Sequence, residues 1–172
     1  MRDAPDHAHR IAQDVLALAR ATGLRIATAE SCTGGLVSGA ITEIAGSSDV
    51  FECGFVTYSN ASKQAMLGVQ AGTLDRHGAV SEEVAAEMAE GARARSGAAL
   101  AVSVTGIAGP GGSEFKPEGR VCFGLAQQGR PTVTQTVDFG PLGRGRVRAA
   151  SVVQALSMIR AALGSEGAGA PR

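Results

Sequence analysis

The chain has 172 residues, 44% of them hydrophobic and 19% charged, and its 16 Lys plus Arg balance 16 Asp plus Glu to a formal net charge of zero. Such a length and composition predict one globular domain and exclude a fibrous or natively unfolded chain. Zero net charge supplies no general field for nucleic acid or an acidic membrane, although a local basic site stays open.

No stretch approaches the roughly 20 apolar residues of a membrane span, and the charged segment Met1–Arg10 does not read as a signal peptide. A cytoplasmic location follows as the expectation. Cys32, Cys53 and Cys122 are odd in number and form no C-x-x-C pair, which favours free thiols over disulfides and offers no structural zinc. With no Trp and one Tyr, the core must be aliphatic and alanine-rich, and Tyr58 draws notice.

In chain order, residues 1–10 are expected to be disordered, 11–163 to form the domain and 164–172 to be a disordered tail. Ile11, Val15, Leu18, Ala19 and Thr22 recur at helical spacing and Gly23 follows as a stop. Leu24–Ala29 reads as a strand. Ser31 to about Ala45 reads as a helix, closed by Gly46-Ser47-Ser48. Phe51–Tyr58 is rich in aromatic and β-branched residues and predicts a strand, and Asn60–Leu67 a short helix capped by Ser59 or Asn60.

Ser81 opens a helix with Glu82 and Glu83 in its first turn, an apolar stripe of Val84, Met88 and Ala92, and Arg93 and Arg95 at its end. Ala98–Val104 is a continuous apolar run of the buried-strand kind and empties into the glycine-rich loop Thr105–Gly112. Gly119–Gln127 and Thr132–Phe139 predict a hairpin, and Gly145–Leu163 a last helix. Helices interleaved with strands and then a hairpin predict an α/β fold, close to α+β, with a mixed sheet and helices on its faces. Ligands collect at strand C-terminal ends in such sheets.

Ser31 sits between a predicted strand and a predicted helix, where the N–H groups of Cys32, Thr33 and Gly34 lack intrahelical partners and could face developing negative charge. Gly34 and Gly35 would let a substrate approach closely. The plain alternative is that Ser31 or Thr33 simply caps a helix. His7, His9 and His77 are poorly placed as a base for Ser31. Lys63 is the better candidate, since a desolvated lysine can lose its proton, although a solvated helix residue is the simpler reading of its local sequence. Cys32 competes with Ser31 as nucleophile, because a thiolate is favoured at a helix start. The Thr105–Gly112 loop could cradle a phosphate or be a plain connection, and one or two of Arg144, Arg146 and Arg148 could clamp one.

Together, Thr28-Ala29-Glu30-Ser31-Cys32-Thr33-Gly34-Gly35, Gly46-Ser47-Ser48, Gly54-Phe55-Val56-Thr57-Tyr58-Ser59-Asn60 with Lys63, Gly78-Ala79-Val80-Ser81, and Thr105-Gly106-Ile107-Ala108-Gly109-Pro110 resemble the CinA C-terminal-domain family from about Leu16 to Leu163. The resemblance implies a three-layer α/β/α sandwich with a mixed sheet. It also implies a homodimer and, from the stand-alone PncC-type members, hydrolysis of nicotinamide mononucleotide to nicotinate mononucleotide and ammonia in pyridine nucleotide recycling, without metal or cofactor. By the same resemblance Ser31 attacks the carboxamide, Lys63 is its base and Tyr58 orients the lysine or relays a proton. Cys32, Thr33, Gly34, Gly35, Ser48, Thr105, Gly106 and Arg148 are expected at the substrate, Arg148 meeting the nucleotide.

Where family members carry G-D-R before the last helix, this chain reads Pro141-Leu142-Gly143-Arg144, with an extra residue. The N-terminal pyrophosphatase-like domain of larger members is expected to be absent. The competing reading from another class is a non-catalytic nucleotide-binding regulatory or interaction module linked to competence or DNA damage. Direct DNA binding is a weak third, with no recognised nucleic-acid motif.

Overall fold

The computed structural model describes residues 4–167. Five strands form one sheet in the order β2-β1-β3-β4-β5: β1 (Ile26–Glu30), β2 (Phe51–Val56), β3 (Leu100–Gly106), β4 (Arg120–Gln127) and β5 (Val133–Asp138). β1 runs parallel to both β2 and β3, and β4 and β5 are antiparallel additions. Six helices cover the sheet: α1 (Ala4–Thr22), α2 (Leu36–Thr42), α3 (Asn60–Leu67), α4 (Ala71–His77), α5 (Glu82–Ser96) and α6 (Arg144–Gly167). α1, α2 and α6 pack together on one face, and α3, α4 and α5 on the other, which makes the three-layer α/β/α sandwich with a mixed sheet. No helix among the described residues is long and apolar enough to cross a membrane.

The strand sequences set the two layers at different depths. Alternate β3 residues Leu100, Val102 and Val104 join Ile11, Val15, Phe123, Leu156 and Ile159 in the larger apolar cluster. The opposite face carries Ala27, Ala29 and Ala101, small side chains that let α5 lie close. Ser103 Oγ, for example, donates to the Ala85 carbonyl at 2.5 Å. Period-two alternation thus sorts bulky from small residues across the sheet.

Three expectations are corrected. α1 already starts at Ala4 and α6 continues to Gly167, so the expected disorder of 1–10 and 164–172 gives way to helix over 4–10 and 164–167; the rest of both segments lies outside the described residues. The helix expected from Ser31 begins only at Leu36. Gly34 and Gly35 hold φ of +59° and +101°, which a right-handed helix cannot include, so Ser31–Gly35 forms turns instead. α4 was not expected: Ala71–His77 has no apolar stripe, and it is held from outside by Glu87, whose carboxylate accepts from Gln70 N–H at 2.8 Å and Thr73 Oγ1 at 2.6 Å.

Candidate active site

The turn after β1 lies between the ends of two neighbouring strands. Ser31 N–H donates to Val104 O at 2.9 Å, and Thr57 N–H donates to Glu30 O at 2.8 Å, so the ladder continues one residue past each strand. Glu30, fully buried, turns its carboxylate along the chain and accepts from the N–H groups of Gly35, Val37 and Ser38 and from Ser38 Oγ. A helix start needs such acceptors and favours negative charge. Glu30 thereby does the capping that could have fallen to Ser31 or Thr33, and the Ser31 hydroxyl is left for another partner. A lone carboxylate closing the strand Ile26–Glu30 was the available signal, and sequence reasoning missed it.

That partner is Lys63. Ser59 caps α3 by accepting from Ser62 N–H, and Ser62 returns the bond to Ser59. This capping box fixes Lys63 in the first turn. Its stem runs inward, and the residue is 1% exposed. Nζ lies 2.9 Å from Ser31 Oγ, 2.9 Å from Thr57 O and 3.4 Å from Tyr58 O. No carboxylate pairs with it among the described residues, and burial pushes its pKa below the ordinary lysine value. Nζ donates to Ser31 Oγ and to the two carbonyls; once the amine sheds a proton, two N–H groups can keep the carbonyls while the lone pair receives the Ser31 hydroxyl.

Ser31, Cys32, Tyr58, Lys63, Thr105 and Gly106 line one cavity of about 210 Å³, together with Asn60, Ala79, Val80, Ala108 and Arg144. Cys32 is buried, and burial pushes its thiol up to about 11, so it stays a thiol near neutrality and the thiolate expected from its position does not form. The Tyr58 hydroxyl accepts from Arg144 Nη2 at 2.9 Å while the Tyr58 carbonyl is the part that meets Lys63. Among the described residues no hydrogen bond joins the Tyr58 hydroxyl to Lys63, and it is the backbone of Tyr58 that touches the amine. Thr105 Oγ1 donates to Ala79 O at 2.8 Å, pinning one wall to another.

Other expected residues lie elsewhere. Gly34 N–H is committed to Ser31 O at 3.0 Å and Gly35 N–H to Glu30, leaving those of Cys32 and Thr33 without an acceptor among the described residues. Thr33 is buried, and its hydroxyl has no hydrogen-bond partner among the described residues. Ser48 is exposed in a short 3-10 turn, Ser47–Asp49, just before β2, at the sheet end opposite Ser31. Arg148 donates from Nε to Cys32 O and from Nη2 to Thr33 O, both at 3.1 Å. Arg144, which also donates to Gly109 O at 3.0 Å, is the arginine at the cavity, and sequence spacing alone could not choose between the two.

The model of the CinA C-terminal domain matches residues 8–163. A CinA-like protein of Chlorobium phaeobacteroides (strain BS1) is 61% identical over 120 residues, covering 68% of this chain and 29% of that protein. A protein of Enterobacter agglomerans named nicotinamide-nucleotide amidohydrolase PncC is 52% identical over 132 residues, 76% of this chain and 80% of that one. The crystal structure of competence/damage inducible protein CihA from Agrobacterium tumefaciens superposes with a TM-score of 0.88 at 46% identity, covering 92% of this chain and 96% of that one. The chain spans 26% to 36% of the length of the longer curated relatives it matches. With the family model covering nearly all of the described residues and the fold shared with a solved relative, the chain belongs to the CinA C-terminal domain family.

Proposed function

We propose that the chain hydrolyses the carboxamide of nicotinamide mononucleotide, giving nicotinate mononucleotide and ammonia by a Ser–Lys mechanism. The observation that carries this reading is the 2.9 Å contact between Ser31 Oγ and the buried Nζ of Lys63. Neutral Lys63 takes the Ser31 proton as Oγ bonds to the carboxamide carbon, and the N–H groups of Cys32 and Thr33 receive the oxyanion. The Lys63 ammonium returns the proton to the departing nitrogen, releasing ammonia and leaving an ester on Ser31. Water, deprotonated by Lys63, then displaces the acid and restores the hydroxyl.

A cavity of about 210 Å³ is smaller than the roughly 300–1,000 Å³ that encloses a whole drug-sized ligand. It fits the reacting ring, with the rest of the nucleotide passing Arg144. The name carried by the Enterobacter agglomerans relative supports this substrate. The same reading makes the protein a cytoplasmic homodimer serving pyridine nucleotide recycling.

A second reading, a non-catalytic nucleotide-binding module linked to competence or DNA damage, draws support from the words competence/damage inducible in the name of the Agrobacterium relative. The buried lysine weighs against it, since binding alone gains nothing from desolvating an amine beside a serine. Ammonia release from the mononucleotide by purified protein separates the two. Wild type and Cys32→Ala are expected to release it, and Ser31→Ala and Lys63→Ala to lose at least about 10³-fold in rate. Binding of the nucleotide without release by folded wild type favours the module; activity lost in Cys32→Ala and kept in Ser31→Ala moves the nucleophile to sulfur.

A further inference from the structure

We propose that Arg148 is a positioning residue, which holds the backbone of residues 31–34 so that the N–H groups of Cys32 and Thr33 stay turned toward the anion formed at Ser31. The inference rests on the Ser31 hydrolase reading above and assigns Arg148 a task other than phosphate recognition.

Three successive carbonyls of this turn are held. Ser31 O accepts from Gly34 N–H at 3.0 Å, Cys32 O from Arg148 Nε and Thr33 O from Arg148 Nη2, both at 3.1 Å. In a trans peptide the C=O and the N–H of one unit point in opposite directions. The Ser31 carbonyl shares its peptide with Cys32 N–H, and the Cys32 carbonyl shares its peptide with Thr33 N–H. Fixing these carbonyls on one side therefore aims both N–H groups to the other, and neither has an acceptor among the described residues. Ser31 and Cys32 line the cavity, and Arg148 does not.

The guanidinium fork suits the task. It spans two adjacent carbonyls with parallel donors in a fixed plane, which an ammonium cannot do, and a charged donor on a carbonyl also strengthens the hydrogen bond its own N–H can give. Gly34, whose φ of +59° suits glycine, lets the chain turn so that Arg148 reaches both carbonyls.

The test uses the full chain as wild type, Arg148→Ala, Arg148→Lys and, as a matched loss of arginine from the same helix, Arg160→Ala. Steady-state kcat and KM are measured with nicotinamide mononucleotide and nicotinamide riboside, and Ser31 labelling by a fluorophosphonate is followed by mass. Deleting one oxyanion donor typically costs roughly 10²–10³ in kcat. Loosening donors that remain present is expected to cost about 10 to 100-fold in Arg148→Ala, equally for both substrates, with KM within about twofold of wild type. Labelling should slow in parallel, Arg148→Lys should fall between, and added guanidinium should restore part of the rate of Arg148→Ala.

A rise in KM confined to the mononucleotide, with kcat intact, makes Arg148 a phosphate ligand and overturns the proposal. Unchanged kcat and labelling in folded Arg148→Ala overturn it as well. If wild type labels at Ser31 yet releases no ammonia, the substrate reading fails while the labelling rates still decide the role of Arg148. A wild type that neither hydrolyses nor labels overturns both. Should Arg148→Ala not fold, Arg148→Lys carries the comparison.

Discussion

Lys63 is an amine on a four-carbon stem, and its surroundings set the proton affinity of that amine. In the unfolded chain it titrates near the ordinary lysine value of about 10.4; in the fold, burial holds it lower. Between the two values the unfolded state carries a proton that the native state has shed, so stability rises with pH across that window. The contribution is complete above the unfolded pKa and is lost as pH falls through the folded one. Lys63→Met should therefore flatten the rise, with its urea midpoint gaining on wild type as pH falls from 10. Parallel midpoint curves for the two proteins from pH 6 to 10 would contradict this. Under the proposed mechanism, in which the neutral amine accepts the Ser31 proton, the rate of hydrolysis should climb with pH through the folded pKa. From sequence Lys63 is a first-turn helix residue like many on a surface; its burial depends on α5 and on the segments after β1 and β2, which bring Ser31, Thr57 and Tyr58 to its amine and which no local pattern records.

Among the elements, α5 shows how a local rule is reversed by its neighbour. Gly91 lies inside α5, where propensity alone says that Ala would stabilise by about 1 kcal/mol. A Cβ there would stand 1.9 Å from the Leu67 carbonyl oxygen and 2.8 Å from its carbon, and backbone at the end of α3 cannot yield as a side-chain tip can. Overpacking of this kind costs typically about 1–3 kcal/mol, so Gly91→Ala should lower stability, read as a reduced midpoint in denaturant. A raised midpoint would show that propensity wins. The same limit on local reading explains what was legible. α5 and the β4–β5 hairpin stood out because capping, charge and alternation agree along their own sequences. α4 and the start of α2 did not, because their ordering acceptors, Glu87 and Glu30, come from α5 and β1.

At the scale of the whole molecule, the apolar load sits unevenly on the sheet. The face under α1 and α6 holds the bulky residues, and the face under α5 is lined by small ones. Leu156, fully buried in the larger cluster, should cost about 2–5 kcal/mol when cut to Ala, measured by chemical denaturation. A cost under about 1 kcal/mol would mean that this layer collapses around the gap. The two-sided sheet was readable from the interleaved elements and from the continuous apolar run Ala98–Val104, whereas the sorting of bulky from small residues across β3 shows only in the structure. The site was readable in part: Ser31, Lys63 and the Thr105-Gly106 segment meet as expected, whereas Ser48 falls at the other end of the sheet because it precedes β2 while Ser31 follows β1. Of the arginines that the sequence left as alternatives, Arg144 lines the cavity and Arg148, four residues on, binds the backbone of the turn instead.

The aromatic poverty of the chain has a practical corollary at the cavity mouth. With one Tyr and no Trp, nearly all of its near-ultraviolet emission originates at Tyr58, which is 61% exposed and hydrogen-bonded to Arg144 beside the cavity. The unlabelled wild-type protein thus carries a single built-in optical reporter, whose signal responds to whatever displaces that guanidinium or stacks on that ring.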